Sequence, residues 1–292
     1  YEVSELFGEV SLPLLKDAGP LARSLVVDGA VRYSDYSTIG VTRTWKVGGV
    51  LATAGGLRFR GALSKAARAP TVGELFTPTV NTVTTLGING PCATANLGLG
   101  TANRRANCET ALRALGVNPA AFNPLLGSFF PTSLSGNPAL QEETARTTTY
   151  GVTWTPSFAP GLSLSADHYD IEISDAVITP TTGAVFNACY DAAALDNIFC
   201  GLLRREPGTG RAAFVQINAV NVAKVYTAGW ELAAAYALAT DSLGRFSAAA
   251  SASYLQRLDL QKTPLPLLTD DRGRFDTDTG GSSPTWVARL DL

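Results

Sequence analysis

Alternation of apolar and polar side chains, sustained over unusually long segments, is the property that most restricts how this chain can fold. Leu25, Val27, Gly29, Val31 and Tyr33 share one face of such a segment, opposite Ser24, Asp28, Arg32 and Ser34. Leu57, Phe59, Gly61 and Leu63 alternate with Arg58, Arg60 and Ser64, and Tyr150, Val152 and Trp154 with Thr147, Thr149, Gly151 and Thr153. Further on, Tyr226, Ala228, Trp230, Leu232, Ala234 and Tyr236 interleave with Thr227, Gly229 and Glu231. Phe246, Ala248, Ala250, Ala252 and Tyr254 do the same with Arg245, Ser247, Ser251 and Ser253. Successive side chains on a strand point to opposite faces, so each segment carries one apolar and one polar face. About nine such segments occur, each at or above the ~9–11 residues a tilted strand needs to cross a bilayer.

Soluble sandwiches alternate as well, and three details favour the membrane. Val222–Leu238 is far longer than the ~5–6 residues of ordinary globular strands. Apolar faces carry an aromatic near each end (Tyr226 and Tyr236, Phe246 and Tyr254), as the interfacial girdles of outer-membrane barrels do. The opposite faces hold Thr, Ser, Gly, Arg and Glu, which suit a wet lumen. A soluble sandwich would instead fold in water without detergent. The expected class is all-β: antiparallel transmembrane β-barrel strands.

Connection lengths point the same way. Short turns are expected at Asp17-Ala18-Gly19-Pro20, Ala54-Gly55-Gly56, Pro156–Gly161 and Asp241-Ser242-Leu243-Gly244, and long irregular stretches roughly at 70–139, 178–215 and 259–284. Loops of that size are unusual in compact soluble domains. Short periplasmic turns facing long extracellular loops mark bacterial barrels. One segment breaks phase: from Leu162 the apolar face is Leu162, Leu164 and Ala166, then Tyr169, Ile171 and Ile173. A bulge or departure of the strand from the lipid zone would each produce that flip.

Composition excludes other classes. Apolar runs such as Leu232–Leu238 fall far short of the ~20 residues of a membrane-spanning helix. Charged residues are 16% of the 292-residue chain and the net charge is −2, without the basic stripe that nucleic acid requires. The densest basic pairs, Arg104-Arg105 and Arg204-Arg205, read as solvated loop surface. There is no Met and no leader pattern, so the chain reads as a fragment cut inside a strand at each end, with any signal outside it.

Four cysteines fall in the long loops as two local pairs, Cys92 with Cys108 and Cys189 with Cys200. An even count in an exported protein predicts disulfides. Metal ligation is disfavoured because the single histidine, His168, lies inside a strand and no Cys-x-x-Cys occurs. His168 is a poor catalytic candidate, since alternation puts Asp167 on the opposite face and no serine-histidine-acid set is marked. The acids Asp270, Asp271, Asp276 and Asp278 could hold a hard cation, but Arg272 and Arg274 sit among them, and a solvated loop is the expected role. Gly98-Leu99-Gly100 lacks the context of a phosphate loop. Catalytic residues, metal sites and cofactors are all expected to be none. Phe129, Phe130 and Phe186 could dock a ligand, though packing of the loops on one another is the preferred reading.

Four segments resemble a known family, the TonB-dependent receptor barrels. Ser64-Lys65-Ala66-Ala67-Arg68-Ala69-Pro70-Thr71-Val72-Gly73-Glu74-Leu75-Phe76 is similar to the family's segment that closes a strand and leads into an extracellular loop. Gly136-Asn137-Pro138-Ala139-Leu140-Gln141-Glu142-Glu143-Thr144 resembles the start of its next strand, with Glu142 where Pro is usual. Tyr169–Val177 and Asn221–Leu232 resemble two later strands. Pro70 cannot donate to the ladder and so ends it. The resemblance implies a barrel of about 22 strands with a plugged lumen. It also implies a receptor for a scarce nutrient (siderophore, vitamin or saccharide) whose import is driven by the energy-coupling protein TonB acting on the plug. Residues 1–292 would be part of that barrel, the plug and terminal strands lying outside them, and the partners would be outer-membrane lipid, TonB and a small ligand. A passive porin-like channel or surface adhesin is the alternative, and an enzyme is not expected.

Overall fold

The alternating segments pair edge to edge as long strands. The computed structural model describes residues 1–19, 22–85, 90–122, 129–240, 242, 244–261, 269–276 and 281–292. The first strands are β1 (Val3–Lys16), β2 (Ser24–Tyr36), β3 (Gly40–Ala52) and β4 (Leu57–Arg68). The first long connection holds α1 (Val72–Phe76), β5 (Val80–Thr85), α2 (Asn103–Ala114) and β6 (Phe129–Ser135). Next come β7 (Glu143–Trp154) and β8 (Leu162–Ile178), then a second long connection with α3 (Thr182–Asp191), α4 (Ile198–Gly201), β9 (Leu203–Arg205) and β10 (Ala212–Asn218). The last group is β11 (Val220–Thr240), β12 (Gly244–Gln261), β13 (Thr269–Asp270), β14 (Phe275–Asp276), β15 (Gly281–Ser282) and β16 (Trp286–Asp291).

One antiparallel sheet of ten strands runs β1-β2-β3-β4-β7-β8-β11-β12, with β13 and β16 both paired to β12. Setting aside the two-residue β13 leaves nine strands, the number the alternation predicts, although β16 is only six residues long. Among the described residues β1 and β16 are each paired on one side, so the barrel is open. No described helix is long and apolar enough to cross a membrane.

Register sorts the side chains onto two faces. Leu51, Phe59, Val152, Ala166, Leu232 and Ala252 form one cross-strand row. One residue along, Val50, Arg60, Gly151, Asp167, Glu231 and Ser253 form a row on the other face. Leu6, Val31, Phe59, Leu63, Tyr236 and Leu290 of the apolar face stay exposed, with no second layer over them among the described residues. An apolar surface of that extent requires a non-aqueous neighbour, and hydrocarbon is the solvent that fits. Aromatics bound it at both ends. Tyr150, His168 and Trp230 cluster at 4.9 and 4.8 Å between centroids and Tyr254 stacks on Trp286 at 4.6 Å. At the other end Trp154 meets Phe158 at 5.7 Å. On the polar face, Arg60 grips Asp167 by two hydrogen bonds of 2.7 and 2.5 Å. Gly151 lies between them, where a Cβ would collide with the Asp167 carboxylate.

The phase break in β8 now has a cause. Pairing of β7 with β8 is unbroken from Trp154 against Leu164 to Thr144 against Ser174, so no bulge separates Ala166 from Tyr169. The strand instead passes the aromatic row at His168, beyond which Asp170 and Glu172 occupy the formerly apolar face. The register breaks later, where Asp175 adopts φ 57° and the pairing with β11 shifts between Ala223 and Val225.

Connections alternate in length with one exception. Short links join β1 to β2, β3 to β4, β7 to β8 and β11 to β12 at one end; Pro20, Asp241 and Leu243 of the predicted turns lie outside the described residues. The long connections sit at the other end, together with the short link Ser37–Ile39, which the predicted asymmetry did not include. Asp278 also lies outside the described residues.

The two faces make opposite demands on a charge. Ala234 shares its row with Leu164 and Ala250, while its neighbour Ala235 pairs with Ser163 and Ala249 on the polar face. Ala234→Arg should cost about 2–4 kcal/mol in a bilayer, and Ala235→Arg should fold nearly as well as the parent. Urea titration of the full-length protein in lipid vesicles checks this; equal losses at both positions would refute the assignment of faces.

Candidate functional site: the outer rim and its loop unit

The two long connections are not irregular. Their strands form one sheet in the order β5-β6-β10-β9, in which β6 and β10, from different connections, pair in parallel. Phe130, Phe186, Tyr190, Phe199, Val185, Val215 and Leu112 bury a common core there. Each connection is closed on itself by a disulfide, Cys92–Cys108 and Cys189–Cys200, with sequence separations of 16 and 11. In the chain-entropy view, closing loops of this size contributes about 3 kcal/mol each. Phe130 and Phe186 meet edge to face at 6.1 Å, whereas Phe129 is 74% exposed. The packing reading therefore holds for two of the three.

Both arginine pairs read as solvated surface are corrected in one member each. Arg104 is 5% exposed and holds Asp191 of the other connection through bonds of 2.6 and 2.5 Å, with Asn187 and the Asn96 carbonyl completing its partners. Arg205 stands 5.9, 5.2 and 5.1 Å from the rings of Phe122, Phe186 and Tyr190. A buried guanidinium is tolerated only when paired, and the partner lies too far along the chain to be read from spacing.

At the rim the family-like segments converge. Pro70 stands two residues past Arg68, the last residue of β4, and lacks the N–H needed to continue the ladder. Thr71 then caps α1: its hydroxyl accepts from the Glu74 N–H at 3.2 Å, and the Glu74 carboxylate accepts from the Thr71 N–H at 2.7 Å. That reciprocal capping box aims Glu74 back at Arg68. Arg68 donates to Glu74 at 3.0 and 3.1 Å and to Glu143, the first residue of β7, at 2.6 and 2.7 Å. Glu143 also accepts from the Val177 N–H of β8 at 2.5 Å. One guanidinium thereby ties β4, α1, β7 and, through Glu143, β8. The second segment locks on from above. Asn137 donates from its backbone N–H to the Glu74 carbonyl at 2.8 Å and from its side chain to the Ala219 carbonyl at 2.8 Å. Leu75, Leu140 and Ala219 bury one another beneath. Gly136 lies so close to α1 that an added Cβ would sit 2.6 Å from the Leu75 carbonyl oxygen. Asn221 of β11 completes the clasp, accepting from the Gln141 N–H at 2.8 Å and donating to the Gln141 and Asp175 carbonyls at 3.0 and 2.8 Å.

Comparison with known proteins decides what this rim belongs to. The family model of the TonB dependent receptor-like β-barrel matches residues 2–292. The chain belongs to the TonB-dependent receptor β-barrel family. Its members are transporters of the bacterial outer membrane rather than enzymes. Among solved structures, the siderophore receptor PirA of Acinetobacter baumannii superposes with a TM-score of 0.55 at 14% identity, over 99% of this chain and 30% of that one. The ferric enterobactin receptor PfeA of Pseudomonas aeruginosa gives 0.53 at 13%, over 87% of this chain and 26% of that one. At such identities the likeness is one of fold, and this chain spans less than a third of either receptor's length. No curated protein matches it by sequence.

Within this TonB-dependent receptor barrel, the sequence-predicted residues divide as follows. Arg68, Glu74, Leu75, Asn137, Leu140 and Glu143 are brought together in the clasp, with Ala69 and the buried Pro70 between its strand and helix. Pro138 is exposed between the Asn137 side chain and the Ala139 N–H that donates to it at 3.0 Å. Phe76 is 52% exposed and outside the core. Asn221 was visible only as a motif position, and Val177 carried no signal, since it contributes a backbone N–H. Asp270 bonds Arg272 at 2.9 and 2.7 Å. Among the described residues no cluster of His, Cys, Asp or Glu is placed to hold a metal.

Arg68→Ala should leave Glu143 paired only with a backbone N–H, at a cost of about 1–3 kcal/mol, and Arg68→Lys should restore little because an ammonium cannot serve two carboxylates as a planar fork does. Limited proteolysis within 69–142 reads the loss; unchanged cleavage in Arg68→Ala would contradict the clasp. The hydrogen bond from Arg68, aided by the Thr71 N–H and hydroxyl, holds the Glu74 carboxyl below its usual value of 4.5. A depressed folded-state pKa contributes stability above the unfolded value. The contribution of this carboxyl to protection of α1 should therefore be full above pH 4.5 and be lost as pH falls through the depressed value, which hydrogen exchange at stepped pH measures.

Proposed function

We propose that residues 1–292 are part of the barrel of an outer-membrane receptor that binds a scarce nutrient at its outer face and admits it by TonB-coupled, gated passage. Further strands would close the sheet at β1 and β16, and a plug would fill the lumen against the polar face. The observation that carries the reading is the fusion of both long connections into one disulfide-closed unit, fixed to the rim by the Arg68 clasp. A passive channel gains nothing from a rigid folded unit over its mouth, whereas a receptor requires a preorganised surface.

Among ligand classes, a ferric siderophore comes first, because the structural neighbours are a siderophore receptor and a ferric enterobactin receptor. Vitamins and saccharides follow. The chemistry is binding and passage, with no covalent step.

In cells carrying the full-length gene, iron-limited growth on a supplied siderophore should depend on this gene, and uptake should stop when the inner-membrane proton gradient is dissipated. Uptake that survives dissipation would replace the receptor with a passive channel, and binding without uptake would favour an adhesin.

A further inference from the structure

β5 ends the sheet of the loop unit with one side open. Among the described residues it pairs with β6 alone, and five of its six residues are exposed. Edge strands in native proteins are ordinarily blunted by a charge, a proline or a bulge, because a free row of N–H and C=O groups pairs with any strand that meets it. β5 has none of these. Its sequence, Val80-Asn81-Thr82-Val83-Thr84-Thr85, is uncharged and rich in β-branched residues. Its register is unbroken from Val80 opposite Leu134 to Thr85 opposite Phe129.

The partner strand shows which groups the edge presents. In an antiparallel ladder, opposed pairs alternate between those that exchange two hydrogen bonds and those that exchange none. Pro131 stands opposite Val83 and has no N–H to exchange, so Val83 belongs to the second kind. The N–H and C=O of Asn81, Val83 and Thr85 therefore point away from β6, to the open side. The edge is also held in place. Phe130 of β6 is buried in the core of the loop unit, and β10 fixes β6 on its far side. At the base of the hairpin the Gly136 N–H donates to the Thr77 carbonyl at 2.9 Å.

Size and charge narrow the occupant. Six residues fall well short of the ~20–30 a side of a stable protein–protein interface, so this edge does not by itself hold a second copy of the chain. Strand addition of a short peptide needs no more: main-chain bonds supply the affinity, and alternate side chains meet whatever flanks the edge. Here both flanks are apolar, Val80 with Leu134 on one face and Val83 with Phe129 on the other, all four exposed. β5, β6 and β10 carry no charge. The peptide that fits is uncharged, with apolar or β-branched side chains.

We propose that the open edge of β5 takes up an extended, uncharged peptide by strand addition, which makes such a peptide a ligand of this chain. Import of the peptide rests on the receptor reading above; its binding does not.

The test titrates the full-length receptor in mild detergent with a capped, dye-labelled Thr-Val-Thr-Val-Thr-Val peptide and follows anisotropy. Wild type should bind it saturably. Val83→Pro removes one outward N–H, leaves the bonds to β6 in place, and should weaken binding about fivefold or more, the worth of one net hydrogen bond. Arg204→Gln, on the far edge strand β9, should bind as wild type does. The same peptide N-methylated at every amide should not bind. No saturable binding by wild type, or equal binding by Val83→Pro, overturns the site. Equal affinity for the N-methylated peptide overturns strand addition. If limited proteolysis shows that Val83→Pro does not fold, the N-methylated peptide on wild type carries the comparison. A dimer in sedimentation that Val83→Pro dissociates would give the edge to a second copy and overturn the peptide. Peptide binding without uptake that depends on the proton gradient would refute the receptor reading instead and leave the edge assignment standing.

Discussion

Backbone amides that cross hydrocarbon find no water, and every other feature of this molecule follows from where their hydrogen bonds go. An uninterrupted antiparallel ladder satisfies them without side-chain help. The wall therefore needs no core of its own: its apolar side chains face outward and its buried clusters lie elsewhere. Those clusters are in the two long connections, which leave the bilayer, regain water as solvent, and fold by ordinary hydrophobic burial. One chain thus uses opposite packing rules on either side of the aromatic row.

The Arg68 clasp sits where those regimes meet. A strand leaving the ladder must trade interstrand bonds for something else, and here the trade is explicit. Pro70 ends the ladder, Thr71 and Glu74 start a helix, and one guanidinium returns the charge to the neighbouring strand. Charge-assisted bidentate bonds are among the strongest a partly exposed site can make. The Arg, Glu and Asn of the family-like segments each supply hydrogen bonds at this rim, and the Pro withholds one where the ladder must stop.

How much of this was legible in sequence depended on range. Alternation is local, so the strands and their faces were readable from Leu25–Tyr33 or Tyr226–Tyr236 alone. Turn chemistry is local too, and the ends of β4 and β11 were visible in Pro70 and in the turn before Gly244. Glu143 is 75 residues from Arg68, and Asp191 is 87 from Arg104; no spacing rule reaches so far, which is why Arg104 read as surface. The β8 phase flip was visible but ambiguous, since a bulge and an exit from lipid leave the same residue pattern and only the register against β7 separates them.

The parallel pairing of β6 with β10 sets an order of events in assembly. Each disulfide joins cysteines within one connection, so both can form in an oxidising compartment while the strands are still apart. The β6–β10 ladder cannot, because its partners are 83 residues apart, as Thr132 and Val215 show, and the closure entropy of that separation is offset only after β7 and β8 have drawn the two connections together. The β6–β10 ladder of the loop unit thus depends on the wall beneath it, whose β7 and β8 hold the two connections side by side.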